Sequence, residues 1–379
     1  MLSYEAAAFL SVVVATYAVV LGLKTWRPEW LKRYGVVLEG AAILLRTERF
    51  NSIIQRLGAR FKKYLLVYGS LSVVAGTFLA AYGTYMLHVN AWLLAVGATG
   101  AAPTHPIIPG ITVGFEALPY LALAFLVTLI PHELTHGLVL AAEKLKVKSA
   151  GVMLFLVLPG GFVELDEDKL AKARLSTKLR VFASGSFTNL IVGLIIVLIS
   201  SLILVPSGVI VKKIVPGTPA AEALKPGDVI VTMNNTRIKH FEDLVEFLAG
   251  TKPGNIVILG VKRGEEAFNV TITLAAHPLN NSRGFIGAYF DNYSPSDPSG
   301  VLARAIWWIL VVTISISVIN ILPIYPLDGG RIFREVVHEY LGEEKANTLT
   351  AVVTAYYVAI LLINIGLSIW RWGLRIWYP

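Results

Sequence analysis

The sequence predicts a polytopic α-helical membrane protein with about six transmembrane helices and an inserted β-rich extracytoplasmic domain. Three observations carry that prediction. Apolar residues make up 55% of the 379 positions and charged residues only 15%, with a mean hydropathy of +0.66. Several stretches reach the roughly 20 apolar residues that a helix needs to cross a bilayer. Among the first three connections between those stretches, basic residues fall only in the first and third, and the lysines of the long 206–298 connection do not count because long domains translocate regardless of charge.

The apolar segments lie near residues 4–23, 65–87, 118–142, 180–205, 299–325 and 346–370. The first lacks a basic start and a small-residue cleavage site, so it reads as a retained span. A further apolar run, Gly35 to Leu45, is too short to cross and is bounded by Arg46 and Arg49, which predicts an interfacial helix. The 24–64 connection carries ten Lys and Arg residues and the 143–180 connection eight, whereas residues 1–23 and 88–117 carry none. The positive-inside rule then places both basic connections in the cytoplasm, with both chain termini and the long 206–298 connection outside. The net charge of +8 thus reflects insertion into a bilayer, and nucleic acid is not an expected partner. With no cysteine, disulfides and thiolate metal sites are excluded, so any metal must be held by His, Asp or Glu.

Residues 206–276 differ in character. Alternating segments such as "GVIVKKIV", "DVIVTMNN" and "AFNVTITL" are separated by turn signals "PGTP", "KPGD" and "KPGN", around one helical piece, "HFEDLVEFLAG". Four Asn-x-Ser/Thr sequons, at Asn234, Asn269, Asn280 and Asn292, fall in the whole 206–298 connection, which agrees with exposure.

Inside the third apolar segment, "LIPHELTHGLVL" places His132, Glu133 and His136 where lipid or a dry core is expected. Histidines four residues apart share one helix face, one turn apart. This is the HExxH arrangement, in which both imidazoles bind zinc and the intervening Glu acts as general base. Ionisable groups near the bilayer centre cost roughly 2.5–3.5 kcal/mol each, and three on one turn imply a compensating ligand. A catalytic zinc takes a third protein ligand. Val139 and Ala142 stand where an extended motif wants Gly and His, so that ligand is remote. The candidates are Glu164 in "PGGFVELDED" and Asp328 in "NILPIYPLDGGRIF". Asp328 is the stronger, because Pro323, Pro326, Gly329 and Gly330 break the helix around it, and irregular backbone at membrane depth belongs in a protein-lined cavity. Its alternative role is the N-cap of the helix that follows.

Taken together, HELTH, "NILPIYPLDGG" and the β-rich insert between them resemble the site-2 proteases, the intramembrane zinc metalloproteases. The resemblance covers residues 118–335. It implies one Zn2+ per chain held by His132, His136 and Asp328, with Glu133 as the catalytic acid/base and transmembrane proteins as substrates. "GSFTN" supplies the family's Gly-x-x-x-Asn element as Gly185 and Asn189, with Ser186 where relatives often have proline. The implied role of Asn189 and Gly185, and of Asn320, is substrate positioning; Asn189 also suits interhelical hydrogen bonding. Thr135, Asn189, Asn320 and Asp328 are candidates to line a water path, and Pro131 to kink the helix toward it. Residues 151–168, interrupted by Gly160 and Gly161, read as a re-entrant hairpin whose edge suits strand addition by an unwound substrate. "LKPGDVIVTMNNTRIKHFEDLVEFL" resembles PDZ domains, with "GVIV" at the peptide-binding edge and peptide C-termini as ligands.

The organisation predicted is therefore an N-terminal membrane region (1–117), a first catalytic part (118–206), a PDZ-like domain (207–276), and a second catalytic part with the last span (277–379). The function predicted is cleavage in or near transmembrane segments after a prior cut, in the cell membrane, with the active site toward the cytoplasmic side. The competing class is a non-catalytic metal-binding membrane protein, either a transporter or a PDZ-bearing scaffold. A transporter of that kind is built from repeats with paired broken helices, and the chain shows one broken helix and no convincing repeat.

Overall fold

A computed structural model describes residues 4–40, 42–155, 158–278 and 280–374. The chain begins with α1 (Tyr4–Trp26), a short α2 (Pro28–Arg33), and strands β1 (Val36–Glu39) and β2 (Ala42–Thr47). Then come α3 (Asn51–Arg60), α4 (Lys62–Ala95), α5 (Leu118–Ala142), β3 (Val147–Phe155), β4 (Leu158–Leu165), α6 (Glu167–Ala171) and α7 (Leu175–Ile203). A β-rich run follows: β5 (Val209–Ile214), α8 (Pro219–Ala223), β6 (Val229–Met233), β7 (Thr236–Arg237), α9 (Phe241–Ala249), β8 (Ile256–Arg263) and β9 (Glu266–Thr273). It ends with β10 (Ala275–His277), β11 (Asn280–Phe285) and β12 (Ala288–Asn292), before α10 (Val301–Ile321), α11 (Asp328–Leu341) and α12 (Glu343–Trp372). Two compact units partition the chain: residues 1–196 with 307–378, and residues 197–306.

In the first unit, α1, α4, α5, α7, α10 and α12 are long and apolar enough to cross a membrane. Their apolar residues run around the whole helix, and many, such as Val67, Leu71, Val74 and Phe78 on α4, are exposed. Such helices suit a lipid solvent, where no polar face is needed. Association there relies on close packing between small residues. On α4, Gly69, Gly76 and Gly83 recur every seven residues, and a methyl group on them would press on Arg180, Ile321 and Val318 in turn. Charges gather at the helix ends: Arg180 pairs with Glu143 at 2.9 Å and Lys178 with Glu335 at 2.7 Å.

Residues 35–45 do not form the expected interfacial helix. They build the β1–β2 hairpin, and β2 then pairs with β3 to give a four-stranded antiparallel sheet in the order β1-β2-β3-β4. Short apolar runs are ambiguous between helix and strand, and the partner that decides this one is β3, about a hundred residues away. The amphipathic helix is α3 instead. It turns Ile54 and Gly58 onto α5 and leaves Ile53 and Leu57 exposed. The hairpin expected over 151–168 is present as β3 and β4; its tip, residues 156 and 157, and the termini 1–3 and 375–379 lie outside the described residues.

The second unit is a sheet in the order β12-β5-β6-β8-β9, with β7 on β6. Its core holds Val209, Val211, Ile230, Met233, Leu259, Val261 and Ile286, with Leu244 and Leu248 of α9 packed against them. The sheet thus reaches beyond residue 276, because β12 supplies its outer strand. This corrects one expectation: "GVIV" is not at an open edge, since β5 has β12 on one side and β6 on the other. Beneath the sheet, Asp228 is fully buried. Burial opposes its ionisation, yet the Arg263 guanidinium at 2.6 and 2.7 Å and the Lys225 backbone N–H hold its carboxyl below the ordinary carboxylate range.

Candidate metal centre

The first unit brings the two halves of the sequence motif together. α5 carries His132 and His136 on one face, both buried, with their rings edge to face. Asp328 opens α11, immediately after the Pro-rich turn that ends α10. Gly329 and Gly330 explain why α11 starts there. A methyl group on either would collide with the backbone of Ile321, Leu322, Ile324 or Tyr325, so only glycine allows α11 to lie this close to the end of α10. Asp328 is not the N-cap of α11: Leu327 takes that place, and the Asp328 carboxylate reaches across to α5.

Asp328 Oδ2 lies 3.3 Å from His132 Nε2 and 3.3 Å from His136 Nε2. The two Nε2 atoms are 3.2 Å apart. Bond lengths of about 2.0–2.1 Å at tetrahedral angles separate two zinc ligands by about 3.3 Å. The three atoms therefore outline one face of a tetrahedron of the size that zinc requires. Of the two candidate carboxylates, Asp328 is the one that lies with the histidines in this cluster. Glu164 is engaged elsewhere, accepting from Ser149 and pairing with Arg46 at 3.5 Å.

The chemistry of the donors points the same way. His136 Nδ1 donates to the Val181 carbonyl at 2.7 Å, which leaves Nε2 of a neutral ring as a bare lone pair. His132 Nδ1 lies 3.0 Å from the Asn189 side-chain amide, whose Oδ1 is buried without a hydrogen-bond partner among the described residues. With that amide turned so that Oδ1 accepts from Nδ1–H, the orphaned oxygen is satisfied and His132 takes the same tautomer as His136. Asp328 Oδ2 is likewise buried without a hydrogen-bond donor. Two lone pairs and a carboxylate oxygen then converge, an arrangement that repels itself unless a cation lies between.

Other expected residues surround this point. A methyl group on Gly185 would sit 2.5 Å from His132 Nε2 and closer still to His136 Nε2, so the glycine keeps open the space in front of the ligand atoms. The Asn320 amide nitrogen lies 3.4 Å from His132 Nε2. Glu133 is half-buried, with its side chain against Gly161 of β4 and its carboxylate in reach of the Val163 backbone. Thr135 donates to the carbonyl of Pro131 at 2.7 Å. Sequence reasoning missed Val181 and Val163, because each acts through its backbone and leaves no residue-type signal.

The family model for peptidase family M50 matches residues 120–364, which spans both motifs and more than half of the chain. The chain belongs to peptidase family M50. It is accordingly a metalloprotease, and the family implies zinc. Among relatives, an uncharacterised protein of Methanocaldococcus jannaschii is 28% identical over 85% of this chain and 83% of its own. A membrane-bound transcription factor site-2 protease homologue of Arabidopsis thaliana is 26% identical over 54% of this chain and 42% of its own length. A protein of Clostridium perfringens named as a zinc metalloprotease is 26% identical, covering 63% of this chain and 93% of its own. Among solved structures, the PDZ domain of an SdrC-like protein of Listeria monocytogenes is 26% identical over 22% of this chain and 87% of its own, with a TM-score of 0.21. As an M50 peptidase with six membrane-length apolar helices, the protein is a multi-pass membrane metalloprotease.

Proposed function

We propose that this M50 peptidase is an intramembrane zinc endopeptidase that hydrolyses peptide bonds in or near transmembrane segments of membrane proteins. The single observation that supports this reading most is the His132–His136–Asp328 triangle, built from helices α5 and α11 of a membrane-type bundle. In this reading His132, His136 and Asp328 hold one Zn2+. Bound there, zinc polarises a carbonyl and lowers the pKa of water to about 7.

The chain's own groups supply the rest. Glu133 takes the proton of the attacking water and returns it to the leaving amine. Asn189 fixes the ring of His132 through Nδ1, as outer-shell partners do, and so acts on a ligand before it acts on substrate. Gly185 leaves room for the scissile carbonyl, and the Asn320 amide is placed to donate to its oxygen as charge develops. A transmembrane helix hides its peptide bonds in internal hydrogen bonds and must unwind before attack. Strand β4, the outer strand of its sheet and in contact with Glu133, offers such a segment a template for strand addition.

The basic connections 24–64 and 143–180 favour a cytoplasmic position for those segments, with the β-rich unit outside. That unit filters substrates, so that cleavage follows a prior cut. Peptide C-termini pair with β12, the outer strand of its sheet. Deleting residues 207–293 then admits uncut substrates, and unchanged selectivity would count against the filter. The catalytic reading is tested by zinc content and cleavage of single-span substrates by wild type and Glu133→Gln. Equal zinc with cleavage lost in the variant is expected; equal cleavage by both would refute the assignment.

A further inference from the structure

Beside the metal centre, a cavity of about 150 Å³ opens between the end of α6, the first turns of α7, the turn before α11, and α11 itself. Its walls hold three cations, Lys178, Arg331 and Arg334, against one carboxylate, Glu335. Two of the three are already engaged. Lys178 is 7% exposed and donates to Glu335 at 2.7 Å. Arg334 donates to the same carboxylate at 3.2 Å and also reaches Glu343 and Asn347.

Arg331 differs. Its Nε donates to the Pro326 carbonyl at 3.3 Å, and its guanidinium carbon sits 5.6 Å above the Phe182 ring. Both contacts hold the planar group in place, while its two terminal nitrogens make no hydrogen bond to any described residue. A fixed, half-buried fork with unspent donors, in a cavity of net positive charge, is a receptor for an anion. Lys178 adds a point charge from a second direction, which suits the several oxygens of a phosphoryl group better than the flat pair of a carboxylate. Phe182 and Tyr325 give the cavity apolar walls, so a phosphoryl group bearing an organic substituent fits as well as a free ion.

We propose that this cavity is a phosphoryl-anion site with Arg331 as its principal donor, filled by a phospholipid headgroup or by free phosphate. Its position gives occupancy a consequence. Arg331 holds the carbonyl of Pro326, two residues before Asp328, and stacks on Phe182, the neighbour of the Val181 carbonyl that orients His136. An anion that fixes Arg331 therefore steadies the supports of two metal-binding residues.

The test reads binding directly and needs neither metal nor proteolysis. Purified wild type, Arg331→Gln and Arg331→Lys are titrated with inorganic phosphate in zwitterionic detergent, following the unfolding midpoint. In parallel, retention of phosphatidylglycerol against phosphatidylcholine is measured by native mass spectrometry. Arg60→Gln, the same charge change on α3 outside the cavity, serves as control. The expected result is saturable binding that weakens at least about tenfold in Arg331→Gln, less in Arg331→Lys, and not in Arg60→Gln. Loss confined to phosphate identifies the free ion; loss confined to phosphatidylglycerol identifies the headgroup. If Arg331→Gln does not fold, the Arg331→Lys comparison carries the test. No saturable binding, or equal weakening by the Arg331 and Arg60 variants, overturns the proposal.

Discussion

Asp328 Oδ2 stands 3.3 Å from the Nε2 atoms of both His132 and His136, although it arrives from a helix almost two hundred residues later in the chain. Asp328 Oδ2 accepts no hydrogen bond among the described residues, and both imidazoles turn Nδ1 away from it onto a supporting group. Asp328→Ala should therefore abolish stoichiometric zinc while leaving the fold intact, because it relieves a repulsive cluster. Metal analysis of the purified protein, beside its circular dichroism spectrum, checks both halves of that expectation.

Asn189 is a test of support without ligation. Asn189→Leu keeps the branched shape but removes the partner of His132 Nδ1. Zinc affinity is expected to fall by about 10–100-fold, the usual cost of losing an outer-shell hydrogen bond. Competition with a chelator of known affinity measures it. An unchanged affinity would return Asn189 to a role in substrate contact alone.

Gly185→Ala alters no ligand. Its methyl group falls between the two imidazoles and whatever they face. Zinc binding and cleavage should both be lost, whereas Gly366→Ala on α12, where an added methyl group meets nothing, should leave zinc content unchanged. At the other half of the site, Gly329→Ala or Gly330→Ala forces α11 off the end of α10. Overpacking of this kind costs about 1–3 kcal/mol, and Asp328 moves with the helix, so unfolding midpoint and zinc content should fall together.

The motifs were legible in the sequence because their chemistry depends on residue type and local spacing: four residues bring His132 and His136 onto one face. The spans were legible because a lipid solvent demands long apolar runs. What escaped was pairing across distance. Nothing within residues 35–45 says that β3 will complete their sheet, and nothing in "GVIV" says that β12 will cover it. Val181 escaped for a different reason, since any residue has a carbonyl to offer His136.

The β-rich unit should respond to acid through Asp228. Its carboxyl is held below the ordinary range in the folded chain, so the stability it contributes is present above the unfolded value of about 3.9 and is lost as pH falls through the folded value. The isolated 207–293 segment, if stable, should lose midpoint temperature steeply below about pH 4. In Asp228→Asn that slope should flatten. A slope equal in both would show that other carboxylates govern the acid response.

The two glycines after Asp328 carry a consequence for how this enzyme tolerates change. Main chain rests on main chain at the start of α11, so the register of the carboxylate does not depend on which apolar side chains fill the surrounding bundle. The greasy exterior is free to drift with the lipids of its host, residue by residue, while the ligand triangle keeps its dimensions. Two hydrogen atoms in place of two methyl groups are what insulate the chemistry from that drift.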